Sequence, residues 1–187
     1  IRPQFPKHFR REMQLIATVM SFDPASDTDV LTICGAAACF HISDIPMEAP
    51  IAGVRIIRLD GEFIINPSCA QQLEADINLV VAGSREGICM VEGGASEAEE
   101  DSMMEAMELA FSEIQKIIDG IEELRSLAGI EKFEIEPAPE ADEAVINRLV
   151  ELGAQEKMTT AMATEGKHER KSALKTVRNG LIDALVD

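Results

Sequence analysis

The sequence predicts a mixed α/β (α+β) chain that ends in an all-helical region. Three observations predict it. Residues 12–91 hold short β-branched runs broken by turn signals, residues 96–128 hold one long apolar repeat at helical spacing, and beyond residue 140 two stretches, 141–152 and 167–185, are helical in pattern. In front of the first run stands a stiff cationic head, Ile1-Arg2-Pro3-Gln4-Phe5-Pro6-Lys7-His8-Phe9-Arg10-Arg11. Its prolines fix φ and push the residues before them into extended geometry. A fixed cluster of Arg2, Lys7, Arg10 and Arg11 fits an anionic partner, phosphate above all. An equally simple reading makes Arg10 and Arg11 charged residues that flank a sheet edge.

The elements follow in order. Glu12 to Phe22 alternates with period two and closes on Asp23-Pro24, which predicts a strand. Asp27-Thr28-Asp29 offers N-cap candidates for a helix over Val30 to Ser43, apolar nearly all round and therefore expected between layers. Ile51 to Leu59 and Glu62 to Ile65 read as two strands joined at Asp60-Gly61, a strong hairpin signal. A short amphipathic stretch follows at Ser68 to Glu74. Asp76 to Ala82 and Ile88 to Val91 form a further hairpin, with Gly93-Gly94 expected to close the β-rich part.

Ser96-Glu97-Ala98-Glu99 has the pattern of a capping box and opens the long helix. Its apolar face is Met103, Met107, Ala110, Phe111, Ile114, Ile117, Ile118, Ile121 and Leu124, with Gly129 as a C-cap. Pro137-Ala138-Pro139, set between acidic residues, is the expected linker. Ala141 to Leu152 and Lys167 to Leu185 are helical in pattern, the second with the cations Lys167, Arg170, Lys171, Lys175 and Arg178.

Composition limits the function classes. The 187 residues carry a formal charge of −17, which argues against a free-standing module that grips nucleic acid by overall charge, though a local basic patch remains compatible. Trp and Tyr are absent, and the seven Phe form no regular stacking platform for single strands. Cys34, Cys39, Cys69 and Cys89 include no CxxC pair, so they read as small core residues and not as a zinc site. No apolar run approaches the roughly 20 residues of a membrane helix, and no signal peptide is visible. A cytoplasmic piece of a larger protein, without a membrane partner, is the expectation.

The chain has no GxGxxG, P-loop, GxSxG or HExxH motif. His41 reads as a helix C-terminal residue placed for the dipole. Asp76, at the start of a strand, is the one carboxylate a loop-proximal site could use. Metal-assisted phosphoryl chemistry needs more than one such group, and spacing offers Asp76 no partner. Residue patterns alone therefore give an incomplete active site.

The head Ile1-Arg2-Pro3-Gln4-Phe5-Pro6 resembles the "IRPLFP" element of the bacterial polynucleotide phosphorylase family. Further matches keep the family's order: Gln14-Leu15-Ile16-Ala17-Thr18-Val19, Ile33-Cys34-Gly35-Ala36-Ala37-Ala38, Ile45-Pro46, Pro50-Ile51-Ala52-Gly53, Asn66-Pro67, Leu79-Val80-Val81-Ala82-Gly83 and Met90-Val91-Glu92. The resemblance implies an RNase PH-like core of the ribosomal protein S5 domain 2-like type, truncated at its N-terminus, over residues 1–84. It also implies an RNase PH C-terminal-like subdomain at 85–130 and the start of an all-helical inter-core domain at 131–187.

The family degrades RNA from the 3′ end with inorganic phosphate, releases nucleoside diphosphates, runs in reverse, requires Mg²⁺ and forms a homotrimer that joins RNA-degradation complexes. The implied roles here are RNA or phosphate binding by Arg2, Lys7, Arg10 and Arg11, and trimer assembly; the alternative is a purely structural and assembly segment with no RNA contact. No catalytic or metal-binding residue is expected, and the segment alone should be inactive. The family's second core carries an Asp pair six residues apart. Laid on this repeat, Asp76 takes the later position and Ala70 the earlier one, so the pair is broken. Gln4 stands for the usual Leu, and Lys7-His8 for an acidic-Gly pair.

Overall fold

Apolar side chains at alternate positions of β1 (Ala52–Leu59) and β3 (Ile77–Gly83) give the sheet one continuous core face. In the computed structural model, which describes residues 1–136, 140 and 142–186, these strands lie in a four-stranded antiparallel sheet. Its order is β2-β1-β3-β4, with β2 at Glu62–Ile65 and β4 at Ile88–Ala95. Asp60 and Gly61 make the β1–β2 turn with φ of 52° and 83°, the left-handed geometry that a two-residue hairpin needs.

Six helices, α1 (Asp29–Ile42), α2 (Cys69–Glu74), α3 (Glu100–Ala128), α4 (Glu143–Glu151), α5 (Ala154–Met162) and α6 (Lys167–Val186), complete the described elements with a 3₁₀ turn at Arg2–Gln4. The chain divides into two compact units, residues 1–136 and 137–187.

In the first unit, α3 lays Ala106, Ala110, Ile114 and Ile118 on Val54, Ile56, Ile77, Leu79 and Val81 of the sheet. All of these are essentially without solvent contact, and each large aliphatic contributes about 1.5–3 kcal/mol on burial. A second cluster joins Ala37 and Phe40 of α1 with Met47, Ile51 and Ile121, and Ile1 and Phe5 of the head pack against it. In the second unit, Asp142 caps α4 by accepting from the Ala144 N–H at 2.9 Å. Gly153 turns the chain into α5 with φ 65°, and Ala161 and Leu181 are the buried side chains among the unit's described residues.

Several expectations are corrected. Glu12 to Phe22 forms no strand, and its backbone makes no hydrogen bond to another segment among the described residues. Alternation marks an apolar face, but a strand needs a ladder partner, and none of the described strands supplies one; Ile16 and Met20 are 74% and 89% exposed. Gly93 and Gly94 lie inside β4 instead of ending it. Gly93 has φ 152°, and a Cβ there would come within 2.0 Å of the Asn78 carbonyl oxygen on β3.

The capping box fails. Glu97 takes φ 53°, Ser96 donates its N–H to the Asp76 carbonyl, and the helix starts after Glu99 with no side-chain cap. A true box forms instead at Ser68 and Gln71 ahead of α2. Cys39 and Cys89 are exposed, not core. Leu31 on α1 is exposed too, so that helix is covered on one side only. Helix α5 had no counterpart in the sequence pattern. The expected linker Pro137-Ala138-Pro139 lies outside the described residues.

Candidate nucleic-acid interface

The cationic head is fixed from beneath by its aromatic residues. Phe5 meets Phe40 of α1 edge-on at 5.2 Å between ring centroids and stacks on Phe9 at 6.0 Å, and Phe9 lies 6.0 Å from Phe133. Backbone bonds close the path. Gln4 N–H donates to the Ile1 carbonyl, Phe9 N–H to the Pro6 carbonyl, and the Gln4 carbonyl accepts from Glu48 at 2.8 Å.

With the rings turned inward, Arg2, Lys7, Arg10 and Arg11 are all exposed, and His8 is half-buried. None of the four cations forms an ion pair among the described residues. Arg11 lies over the Phe133 ring at 4.5 Å, which ties one of the four down by a cation–π contact. Residues 1–11 contain no acidic side chain, so this is a positive surface on an acidic chain.

The other cations of the first unit are engaged internally. Arg58 on β1 grips Asp76, donating from Nε at 3.0 Å to both carboxylate oxygens and from Nη2 at 2.6 Å, while Nη1 donates to Ser102 Oγ at 2.7 Å. These bonds hold the Asp76 carboxyl below the usual carboxylate range and raise the Arg58 guanidinium. Arg85 binds Asp119 and Glu122 on α3.

Arg55 pairs with Asp29 and Asp27 and donates to Asn78 Oδ1 at 2.8 Å, on one side of a cleft of about 410 Å³ that also takes in Asn66 and Gln72. Two donors there, Arg55 Nε and Gln72 Nε2, are buried with no hydrogen-bond partner among the described residues. Asp27 and Asp29 counter the positive charge of Arg55 in that cleft, so it offers much less attraction to an anion than the head does.

At the C-terminal end of α1, Lys132 Nζ donates to the carbonyls of Phe40 (2.7 Å), His41 (3.0 Å) and Ser43 (2.7 Å), and Arg125 donates to that of His41 at 3.0 Å. These two cations satisfy the helix end, which corrects the dipole reading of His41. Burial first, then Arg125 and Lys132, push the imidazole's pKa down, and its Nδ1 is buried without a partner among the described residues. Lys132 itself is lowered, by burial and then by Arg125.

Sequence reasoning found the head but missed Arg58, Arg55, Arg125 and Lys132. Arg58 and Asp76 meet because β1 and β3 pair with Arg58 opposite Ile77, and that register has no local sequence signal. Asp76 therefore has a partner after all, but a cation.

Residues 49–113 match the model of the 3′ exoribonuclease family, domain 2. The whole chain is 42% identical over 186 residues to a polyribonucleotide nucleotidyltransferase from Oleidesulfovibrio alaskensis, covering 24% of that protein. It is 44% identical over 177 residues (95% of this chain) to one from Sulfurihydrogenibium azorense, covering 25%. A solved structure of rice (Oryza sativa) Rrp46 is alike at a TM-score of 0.49 and 14% identity over 54% of this chain and 49% of that one. The chain thus spans about a quarter of the length of these curated relatives. Over nearly its full length the chain is similar to a segment of the polyribonucleotide nucleotidyltransferases, and that segment includes a match to domain 2 of the 3′ exoribonuclease family.

Proposed function

We propose that the protein containing this chain shortens RNA from its 3′ end by phosphorolysis. Inorganic phosphate attacks the terminal phosphodiester, a nucleoside diphosphate leaves, and the reverse reaction extends RNA. This segment holds RNA or phosphate on the head, with Arg2 at the centre and Lys7 and Arg10 beside it; Arg11, already stacked on Phe133, contributes less. The observation that supports this most is a head anchored by Phe5 and Phe9 whose cations are exposed and free of carboxylate partners among the described residues. Residues 1–84 and 85–130 would be the two parts of the core and 131–187 the beginning of a helical domain, in a cytoplasmic homotrimer that can enter RNA-degradation complexes.

Mg²⁺ belongs to the proposed chemistry, but the residues here do not fit it. Asp76 is bound through both oxygens to Arg58, and Ala70, the position that would pair with it, has no ligand atom. The metal is assigned to the part of the protein beyond this segment.

The test is Arg2→Glu in the protein of full relative length, read by RNA titration and by sedimentation. RNA affinity should fall about tenfold at low salt, and the salt slope should flatten by about 0.7, one phosphate contact on a single strand. Unchanged affinity in an intact trimer would overturn the assignment of Arg2.

A further inference from the structure

Phe133 does more than support the head. Its backbone is fixed, because Ile130 N–H donates to the Ile42 carbonyl and Phe133 N–H to the Asp44 carbonyl, both at 2.9 Å. The ring is half-buried, with Phe9 tilted by 34° at 6.0 Å and the Arg11 guanidinium over its face at 4.5 Å. Among the described residues it is the one aromatic ring that carries a cation. That cover is loosely held, since Arg11 is exposed and forms no ion pair among the described residues. A guanidinium and a nucleobase are both planar, so a face that accepts the first can accept the second. Of the two contacts, base–ring stacking is the stronger when the cation–π pair is exposed to water.

We propose that Phe133 is a base-stacking position beside the phosphate-binding head, and that Arg11 is its removable cover. A base that takes the ring releases the guanidinium, which then joins Arg10 in holding phosphate, a role closed to Arg11 while it lies on Phe133. Glu131 and Glu134 flank Phe133 along the chain and are exposed. Their charge disfavours phosphate on that side, so the strand keeps its phosphates toward the head and turns a base toward the ring. The chain has no Trp or Tyr, and one Phe gives a single stacking position, not a platform that follows a strand. The contact therefore tolerates any base. This inference rests on the phosphorolytic reading given above, which supplies a single strand of RNA as the ligand, and adds a contact to the base where that reading has contacts to phosphate alone.

The experiment uses the protein of full relative length and two ligands, oligo(A) and an abasic strand of equal length. Phe133→Leu keeps an apolar side chain under the head, and should weaken oligo(A) by about tenfold while leaving the abasic strand unchanged. Equal weakening of both strands would reduce the ring to a support for the head and overturn the stacking position, and so would no change in either. A set of oligo(A) strands with 2-aminopurine at successive positions reads the stack directly. At one position the quenching seen with the parent should be lost in Phe133→Leu, and quenching retained at every position overturns the proposal. Should Phe133→Leu disturb the fold, Phe133→Trp provides the second reading, with an emission that oligo(A) quenches and the abasic strand does not; equal quenching by both overturns it. Arg11→Gln should keep the preference for oligo(A) over the abasic strand and flatten the salt slope by about 0.7. Loss of that preference in Arg11→Gln would show that the guanidinium, not the ring, holds the base. Weaker binding by Arg2→Glu with Phe133→Leu unchanged leaves the head's phosphate role standing and removes this one, and the converse removes only the role of Arg2.

Discussion

Lys132 and Phe133 are neighbours in sequence but serve two regions that use charge in opposite ways. Lys132 turns inward and gives its ammonium to three carbonyls at the end of α1, with Arg125 beside it. Phe133 supports the head, where Phe9 packs on its ring and Arg11 covers it, and where the remaining cations stay exposed. The first region answers orphaned backbone acceptors, as every helix end requires. The second answers no group among the described residues. A cation already bound to carbonyls contributes to folding and has little left for a ligand, whereas one held out from a rigid aromatic base is available to an anion. Phe40 links the two, because its carbonyl accepts from Lys132 while its ring meets Phe5.

The largest effect should come from breaking the inward side. Lys132→Met keeps the aliphatic stem but leaves carbonyls at the helix end without this donor, and should cost about 1–3 kcal/mol in a denaturant titration. RNA binding by the folded protein should be unaltered. Phe133→Ala separates the two regions, because it removes the ring under the head and leaves the Lys132 bonds in place. We expect a loss of about 0.5–1.5 kcal/mol, with faster amide exchange at Phe9 but not in α1. Equal acceleration of both would mean that the head and the helix end form one unit.

Much of this was legible in the sequence where the signal is local. Asp60-Gly61 specified its turn, and the apolar repeat from Met103 to Leu124 specified α3, since a local pattern decides each. Phe5 and Phe9 were visible, but their roles as pins were not, because Phe40 and Phe133 lie far along the chain. Lys132 reads as an ordinary surface residue in a polar stretch, and only the tertiary path that carries Ile130 and Phe133 to the backbone of Ile42 and Asp44 gives it a function. The run from Glu12 to Phe22 shows the converse. Its alternation was real, but pairing is a property of two segments and cannot be read from one. Helix α5 escaped because Ala154–Met162 is only nine residues long, its apolar positions are two alanines and two methionines, and it buries only Ala161.

The smallest effect, and the finest test of the inward side, is its dependence on pH. His41 is held neutral by burial and by the two cations that cap α1, so its folded pKa lies below the ordinary 6.5. The unfolded chain takes up a proton there as pH falls through 6.5, while the folded chain refuses it. This contribution to stability is therefore complete above that value and declines as the pH drops toward the lower, folded pKa. Glu122 pulls the other way and limits the size of the effect. Thermal melts of the chain and of His41→Gln between about pH 8 and about pH 5 should diverge at the acid end, with the variant losing less. His8 and His168 are present in both proteins and cancel in that difference. Parallel pH profiles would mean that His41 can be protonated in place, and that the cationic cap on α1 yields more readily than its three short bonds to Lys132 indicate.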